Sequence, residues 1–313
     1  MKILITGGAG FIGSNVADAY VAAGHDVVIV DNLSTGSLAN LNPQAKFYRL
    51  DIADPELSAI FAAEMPDIVN HHAAQASVPL SISDPLNDAA TNVLGVINLL
   101  QNCIKYHVNK VIYISSGGAI YGEAEEYPTT ETYPPNPLSF YAIHKLVGEN
   151  YLHFYHHQYG LNYTVLRYAN VYGPRQMAAK ESGVISLFIS QMLAGQVPTI
   201  NRYADEPDGM LRDYVFVQDV VQANLKALSH GSGEAINIGT DVETSTLELF
   251  REIEAQLQTG FKPGFGEPRL GDLHRSRIAN HKAKALLAWE PYYSLKEGLA
   301  LTIEYFKLKK EEA

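Results

Sequence analysis

The sequence predicts an α/β fold: a doubly wound parallel sheet followed by a smaller mixed α/β lobe. Three observations carry this reading. Short apolar, β-branched runs alternate with helical patterns through the first half, a glycine-rich loop joins the first run to the first helix, and beyond Gly173-Pro174-Arg175 the strands shorten while turn residues multiply. Continuous apolar strands separated by helices mark a parallel sheet covered on both faces. In order, Ile3-Leu4-Ile5, Val27 to Val30, Ile68-Val69-Asn70 and Val111 to Ile114 read as buried strands, and another ends ahead of Asp51-Ile52. Helical patterns lie between them near 11–23, 57–64 and 92–106. A longer one over about 139–159 leads into the strand Thr164-Val165-Leu166. Further helices are expected near 183–194, 219–229, 246–258 and 294–310, with a frayed tail from Lys309 to Ala313. The division this implies is one domain over 1–172, with segments returning at about 212–240, and a second lobe mainly over 173–313.

Composition narrows the function classes. Of 313 residues, 47% are hydrophobic and 18% charged, which excludes disordered and fibrous classes. No apolar stretch reaches the roughly 18 residues of a membrane span. Met1 to Gly13 does not read as a signal peptide, so a soluble, cytoplasmic protein is expected. A net charge of −11 argues against nucleic acid as a partner. The lone Cys103 excludes an intramolecular disulfide and a cysteine metal cluster. The 11 histidines lack an HExxH pattern or a carboxylate ligand set, so no metal is expected.

Gly7, Gly10 and Gly13 follow the first strand with GxxGxxG spacing, and Gly8, Gly10 and Gly13 satisfy GxGxxG. Glycines here permit a tight turn and let backbone N–H groups approach a pyrophosphate at a helix N-terminus. Asp31 ends the second strand, where a carboxylate can accept bonds from an adenosine ribose. Asn32 and Leu33 follow it, with no Arg for a 2′-phosphate, so the sheet reads as Rossmann-type and NAD as its cofactor. Asp51 and Ile52, at another strand end, are placed near the adenine. Tyr141 and Lys145 stand four residues apart on one helical face. A free tyrosine, with a pKa of about 10, is a poor base at neutral pH. The Lys145 cation and a nicotinamide cation would both favour the phenolate, which could then take a substrate proton as hydride leaves.

These segments, with Asp31-Asn32-Leu33-Ser34, Ser115 to Gly122, Leu166 to Pro174 and Arg212-Asp213-Tyr214-Val215, resemble the extended short-chain dehydrogenases/reductases. Within them the resemblance is closest to nucleotide-sugar epimerases of the UDP-glucose 4-epimerase type. It implies an isomerase of galactose metabolism that interconverts UDP-glucose and UDP-galactose by transient oxidation at C4. Tyr141 would be the base, and Lys145 would orient the nicotinamide ribose. It further implies NAD contacts from Gly7, Gly10, Phe11, Ile12 and Gly13, then from Asp31, Asn32, Ser34 and Gly36, and from Asp51 and Ile52. Ala73, Ala74, Gln75, Asn92, Ser115 and Tyr168 complete that set. Family members carry a Ser or Thr four residues before the Tyr of a Tyr-Gly pair, but here that place is Gly117. Ser116 is the nearest hydroxyl, although adjacent strand residues point to opposite faces. Either the strand ends by 116 and the backbone swings, which makes Ser116 the catalytic hydroxyl, or Tyr141 works with another partner. In the second case Ser115 and Ser116 bond only backbone or cofactor. Gly117 and Gly118 also lack the acidic pair of the related 4,6-dehydratases.

For the nucleotide sugar, the resemblance implies Arg212 and Arg269 at the diphosphate and Asp272 at the nucleoside ribose. Asn170 would lie near the phosphate or sugar, and Gly183-Val184 would open a helix whose N–H groups assist. Small Ser276 leaves space for an N-acetyl group, which makes N-acetylated UDP-hexosamines further candidates. The helices at 92–106 and 139–159 are expected to pair across a homodimer. The alternatives are a UDP-glucuronate 4-epimerase or another NAD-dependent sugar-nucleotide modifier and, from a different class, a non-catalytic dinucleotide sensor.

Overall fold

The computed structural model describes residues 1–177, 183–269 and 271–311. Leu270 and the last two residues of the tail lie outside them. The chain begins with β1 (Lys2–Thr6), α1 (Phe11–Ala22), β2 (Asp26–Asp31), β3 (Lys46–Arg49), α2 (Leu57–Glu64) and β4 (Ile68–His71). Two short helices, α3 (Val78–Ser83) and α4 (Pro85–Ala89), lead through a π-turn (Ala90–Leu94) into α5 (Gly95–Lys105). Then come β5 (Lys110–Ser116), α6 (Phe140–Tyr159), β6 (Asn162–Tyr168), β7 (Asn170–Tyr172) and α7 (Val184–Leu193). Three short strands follow, β8 (Thr199–Asn201), β9 (Leu211–Arg212) and β10 (Tyr214–Phe216), before α8 (Val217–Ala227) and β11 (Glu234–Ile238). The chain closes with β12 (Thr244–Ser245), α9 (Thr246–Leu257), β13 (Gly264–Gly266), β14 (Arg275–Ser276), α10 (His281–Leu287) and α11 (Leu295–Glu311).

Seven strands form one parallel sheet in the order β11-β6-β5-β4-β1-β2-β3. Side-chain alternation explains its two faces. Ile5, Ile29, Ile112 and Leu166 pack with Val16 and Tyr20 of α1 and Val220 of α8. Leu4, Val28, Val69, Val111 and Val165 pack with Phe61 of α2, Leu99 of α5 and Leu152 of α6. Each such fully buried side chain contributes about 1.5–3 kcal/mol of transfer free energy. A third cluster, with Tyr172, Phe188, Phe216, Phe250 and Leu299, is the core beneath α7, α9 and α11.

Strand order reverses between β1 and β4, which opens a crevice at the carboxyl ends of the strands. The sequence pattern runs one helix through 92–106, but the chain makes the π-turn first. At Gly95 a Cβ would come within 2.7 Å of the Ile52 side chain, so α2's leading segment and α5 pack too closely for a larger residue. The short strands β7 to β10 and β12 to β14 form small two- and three-stranded sheets over the crevice. Among the described residues no helix is long and apolar enough to cross a membrane, and no group of three His, Cys, Asp or Glu side chains can hold a metal.

Candidate active site

One cleft of about 790 Å³ runs from the glycine loop and Asp31, past Tyr141 and Lys145, to Arg212, Arg269 and Asp272. At its first end Gly7, Gly10 and Gly13 line the wall, so the GxxGxxG spacing describes the loop's exposed edge. Gly8 faces away, where a Cβ would lie 2.8 Å from Ile29. Gly7 has φ +70° and lies against the backbone of Ala73, and a Cβ at Gly13 would stand 2.3 Å from the Gly7 carbonyl oxygen. The N-terminus of α1 has no side-chain cap and no acidic residue in its first turn. Its N–H groups, with Phe11 and Ile12 on the cleft wall, are therefore open to an anion.

Asp31 is buried and does two things. Its carboxylate accepts from the N–H groups of Ala9 (2.9 Å) and Leu33 (2.8 Å), which fixes the glycine loop, and it still lines the cleft. Each oxygen keeps a lone pair for a ribose hydroxyl. Gly36 supports this place from behind, where a Cβ would approach Asp31 and Ala9 to 3.0 Å. Asn32 donates to Asp51 (2.7 Å), and Asn32, Ser34, Asp51 and Ile52 line the cleft beside it. Ala73, Ala74 and Gln75 line the next stretch. Asn92 is not on the wall: it accepts from the Gln75 N–H (3.1 Å) and donates to the Gln75 carbonyl (2.9 Å), holding that segment in place. These residues fit a dinucleotide whose pyrophosphate rests on α1.

Ser139 caps α6 by accepting from the Ala142 N–H, which places Tyr141 and Lys145 on its first turns facing the cleft. β5 ends at Ser116, whose carbonyl then accepts from Ala119 and Ile120 in a tight turn. The backbone thus turns at Ser116, as one of the two readings of the Gly117 departure requires. The Ser116 side chain lies beside the Tyr141 phenol and lowers its pKa, whereas a Cβ at Gly117 would point at Ile278, 2.7 Å from its Cδ1. Ser115 lines the cleft, but its hydroxyl donates to Glu149 (2.5 Å). Glu149 also pairs with Arg167 (2.6 Å), and Arg167 donates to Tyr121 (2.7 Å), so this network braces the strand behind the site.

Lys145 Nζ donates to the Ile114 carbonyl (2.9 Å) and sits 5.9 Å from the Tyr141 ring centre. Burial lowers Lys145 to about 8, opposed by Asp88 and Glu149. The sequence reading has Lys145 favouring the phenolate, but in the polypeptide's own field burial dominates. It pushes Tyr141 up to about 12, with the Ser116 side chain lowering it and Asp88 raising it further. The reason is desolvation: an anion in this pocket loses more hydration than the neighbouring groups return.

Tyr168 lines the cleft while its hydroxyl accepts from Asn224 (2.7 Å). Asn170 and Val184 line the far half, and Asn170 is held by the Asp213 carbonyl (3.2 Å). Arg212 lies on the wall with its guanidinium donating to the carbonyls of Leu273 (2.6 Å) and Leu211 (2.9 Å). Arg269 is half exposed and pairs with Asp272 (3.4 Å), so the structure joins these two residues to each other. Ser276 is buried off the wall, with its hydroxyl 3.7 Å from where a Cβ would sit on Gly118. Arg175 turns away to Asp18 (2.7 Å).

Two further residues stand on the wall, and of these Gln176 went unread in the sequence. The Nε2 of His72 and the Oε1 of Gln176 are buried with no hydrogen-bond partner among the described residues. Burial, helped by the Lys145 charge, pulls His72 down to about 3, so a neutral imidazole faces the cleft. The adjacent His71 instead bonds Thr6 (2.7 Å) and stacks on Tyr113. Alternation at the end of the strand separates the two.

The model of the NAD dependent epimerase/dehydratase family matches residues 3–239. A UDP-glucose 4-epimerase of Mycolicibacterium smegmatis is 43% identical over 99% of this chain and 100% of its own length. The crystal structure of a Thermotoga maritima UDP-glucose 4-epimerase with UDP-glucose is 47% identical with a TM-score of 0.96, covering 99% of this chain and 100% of that one. The Thermus thermophilus UDP-glucose 4-epimerase in complex with NAD is 40% identical with a TM-score of 0.92, covering 98% and 99%. With the glycine loop, Asp31, Tyr141 and Lys145 on one cleft, the chain belongs to the NAD-dependent epimerase/dehydratase family.

Proposed function

We propose that the chain is an NAD-dependent UDP-sugar 4-epimerase that interconverts UDP-glucose and UDP-galactose, a step of galactose metabolism. The observation that carries the reading is the Tyr141 phenol, with Ser116 and Lys145 beside it, on a cleft that continues from the dinucleotide loop to Arg212. The first 172 residues, with β11 at the sheet edge, would hold NAD, and residues 173–313 mainly the nucleotide sugar. When bound, NAD supplies the acceptor for the C4 hydride and later its donor. Tyr141 takes the O4 proton and returns it once the keto sugar has presented its opposite face. Ser116 orients that hydroxyl, and Lys145, fixed by Ile114, directs its remaining N–H groups to the nicotinamide ribose. Asp31 holds the adenosine ribose and the open N-terminus of α1 holds the pyrophosphate. Arg212 and Arg269 offset the sugar-nucleotide diphosphate, and Asp272 takes the nucleoside ribose.

The test is incubation of purified protein with UDP-glucose and no added NAD, followed by assay for UDP-galactose. Product is expected, with Tyr141→Phe lowering kcat by at least about a hundredfold. Folded protein that forms no product even when NAD is supplied overturns the reading. N-acetylated UDP-hexosamines belong in the same assay, because the residue at 276 is a small Ser, whose hydroxyl stands 3.7 Å from where a Cβ on the wall residue Gly118 would lie. We further propose a cytoplasmic homodimer, supported by the apolar outer faces of the π-turn and α6.

A further inference from the structure

Asp88 lies on α4, outside every motif singled out in the sequence, and its side chain is fully buried. A buried carboxylate needs partners, and it has two from different elements. Its Oδ1 accepts from Gln75 Nε2 (2.7 Å), on the loop that lines the dinucleotide end of the cleft. Its Oδ2 meets His144 Nδ1 at 2.5 Å, on the turn of α6 between Tyr141 and Lys145. Gln75 is itself locked by Asn92 from the π-turn and by Ser77. One carboxylate thus ties the cofactor loop to the helix that carries the reacting pair.

We propose that Asp88 is a positioning residue for Tyr141 and Lys145, fixing α6 against the cofactor loop through His144 and Gln75 and setting the charge that the phenol and ammonium feel. The proposal rests on the reading of Tyr141 as the base. The titratable groups on the elements packed around Asp88 are His144, Tyr141 and Lys145 on α6, His72 on the loop after β4, and Asp84 at the start of its own helix. α3 and the π-turn present uncharged side chains. The Asp88 charge acts on both members of the pair, raising Tyr141 and raising Lys145. It therefore keeps Lys145 cationic while restraining premature ionisation of the phenol.

The test titrates Tyr141 directly in NAD-loaded protein, by the ultraviolet absorption of its phenolate. Wild type, Asp88→Asn and His144→Gln are each compared with the same protein carrying Tyr141→Phe, and thermal melting checks that every variant is folded. Asp88→Asn still accepts from Gln75 but carries no charge, so Tyr141 should ionise about one pH unit lower. His144→Gln removes the link to α6 and leaves the carboxylate, so it should not lower that pH. The acid limb of the kcat/KM profile should move with the phenol. No movement in Asp88→Asn, or equal lowering in both variants, overturns the proposal and leaves Asp88 as packing alone. Because the titration needs no sugar, failure of the epimerase reading shows separately, as absent turnover of UDP-glucose by the wild type.

Discussion

At Ser116 and Gly117 a one-residue displacement of the hydroxyl coincides with a turn of the backbone. The turn that begins at Ser116 leaves its side chain beside Tyr141, where it lowers the phenol's pKa, and sends position 117 toward Ile278. The two adjacent serines then have different surroundings, since Ser115 donates to Glu149 and Ser116 lies beside the phenol. Ser116→Ala should therefore lower kcat by about a hundredfold, the size of a lost proton-transfer partner, and change KM for UDP-glucose by less than about threefold. Steady-state kinetics decide it. An unchanged kcat would show that Tyr141 works with some other group. Ser115→Ala should act differently, by stripping a buried bond from the Glu149–Arg167 pair and lowering thermal stability.

Elements were legible where a local signal was repeated. Apolar runs such as Ile3-Leu4-Ile5 mark strands buried on both faces, and the Tyr141 helix has both a Ser139 cap and a left-handed Gly160 at its end. β7 to β10 and β12 to β14, of two or three residues each, are too short to show a period, and their partners are distant in the chain. The glycine loop, Asp31 and the Tyr141–Lys145 pair were legible because each is a short-range pattern. Asp88, 56 residues from His144, belongs to no local pattern and needed the fold. α2 shows how a helix end stitches strands together. Glu64 accepts from Lys2 of β1 and from Lys46 and Tyr48 of β3. Burial alone would raise this carboxyl, but the bonds from Lys46, Tyr48 and Lys2 overcome it and hold Glu64 near 2. A depressed folded pKa gives stability that is present above the unfolded value and lost as pH falls toward the folded one. The unfolding free energy of wild type should exceed that of Glu64→Gln by about 1 kcal/mol more at neutral pH than near pH 3, an amount reduced because the lysines reach solvent. Urea melts at the two pH values measure this gap. A gap independent of pH would mean that the carboxylate's charge adds nothing there.

For the whole molecule, charge and apolar surface point to the same face. The chain carries −11 overall, so two copies repel unless they meet where carboxylates are absent. The exposed positions of α6, which include Ile143, Asn150, His153, Phe154 and His157, hold no acid, because Glu149 is turned inward to Arg167. Those of α5 are Gln101 and Lys105, and Leu94 of the π-turn stands exposed beside them. α5 and the π-turn both pack against α6, and Leu94, Ile143 and Phe154 stand exposed on the π-turn and α6. A lasting interface needs roughly 1,000 Å² or more with a desolvated centre, and a charge placed at that centre is costly for both copies. Light scattering on the wild type should give twice the chain mass, and Phe154→Glu should bring it down to one. Phe154 points away from the core and stands about three helical turns from Ile143, so the variant should keep its fold and NAD binding. A wild type that already scatters as one chain, or a variant that stays paired, would move the interface elsewhere or remove it. A true interface here also makes a geometric demand: Ile143 sits between Tyr141 and His144, so separating the copies should weaken kcat more than it weakens NAD binding.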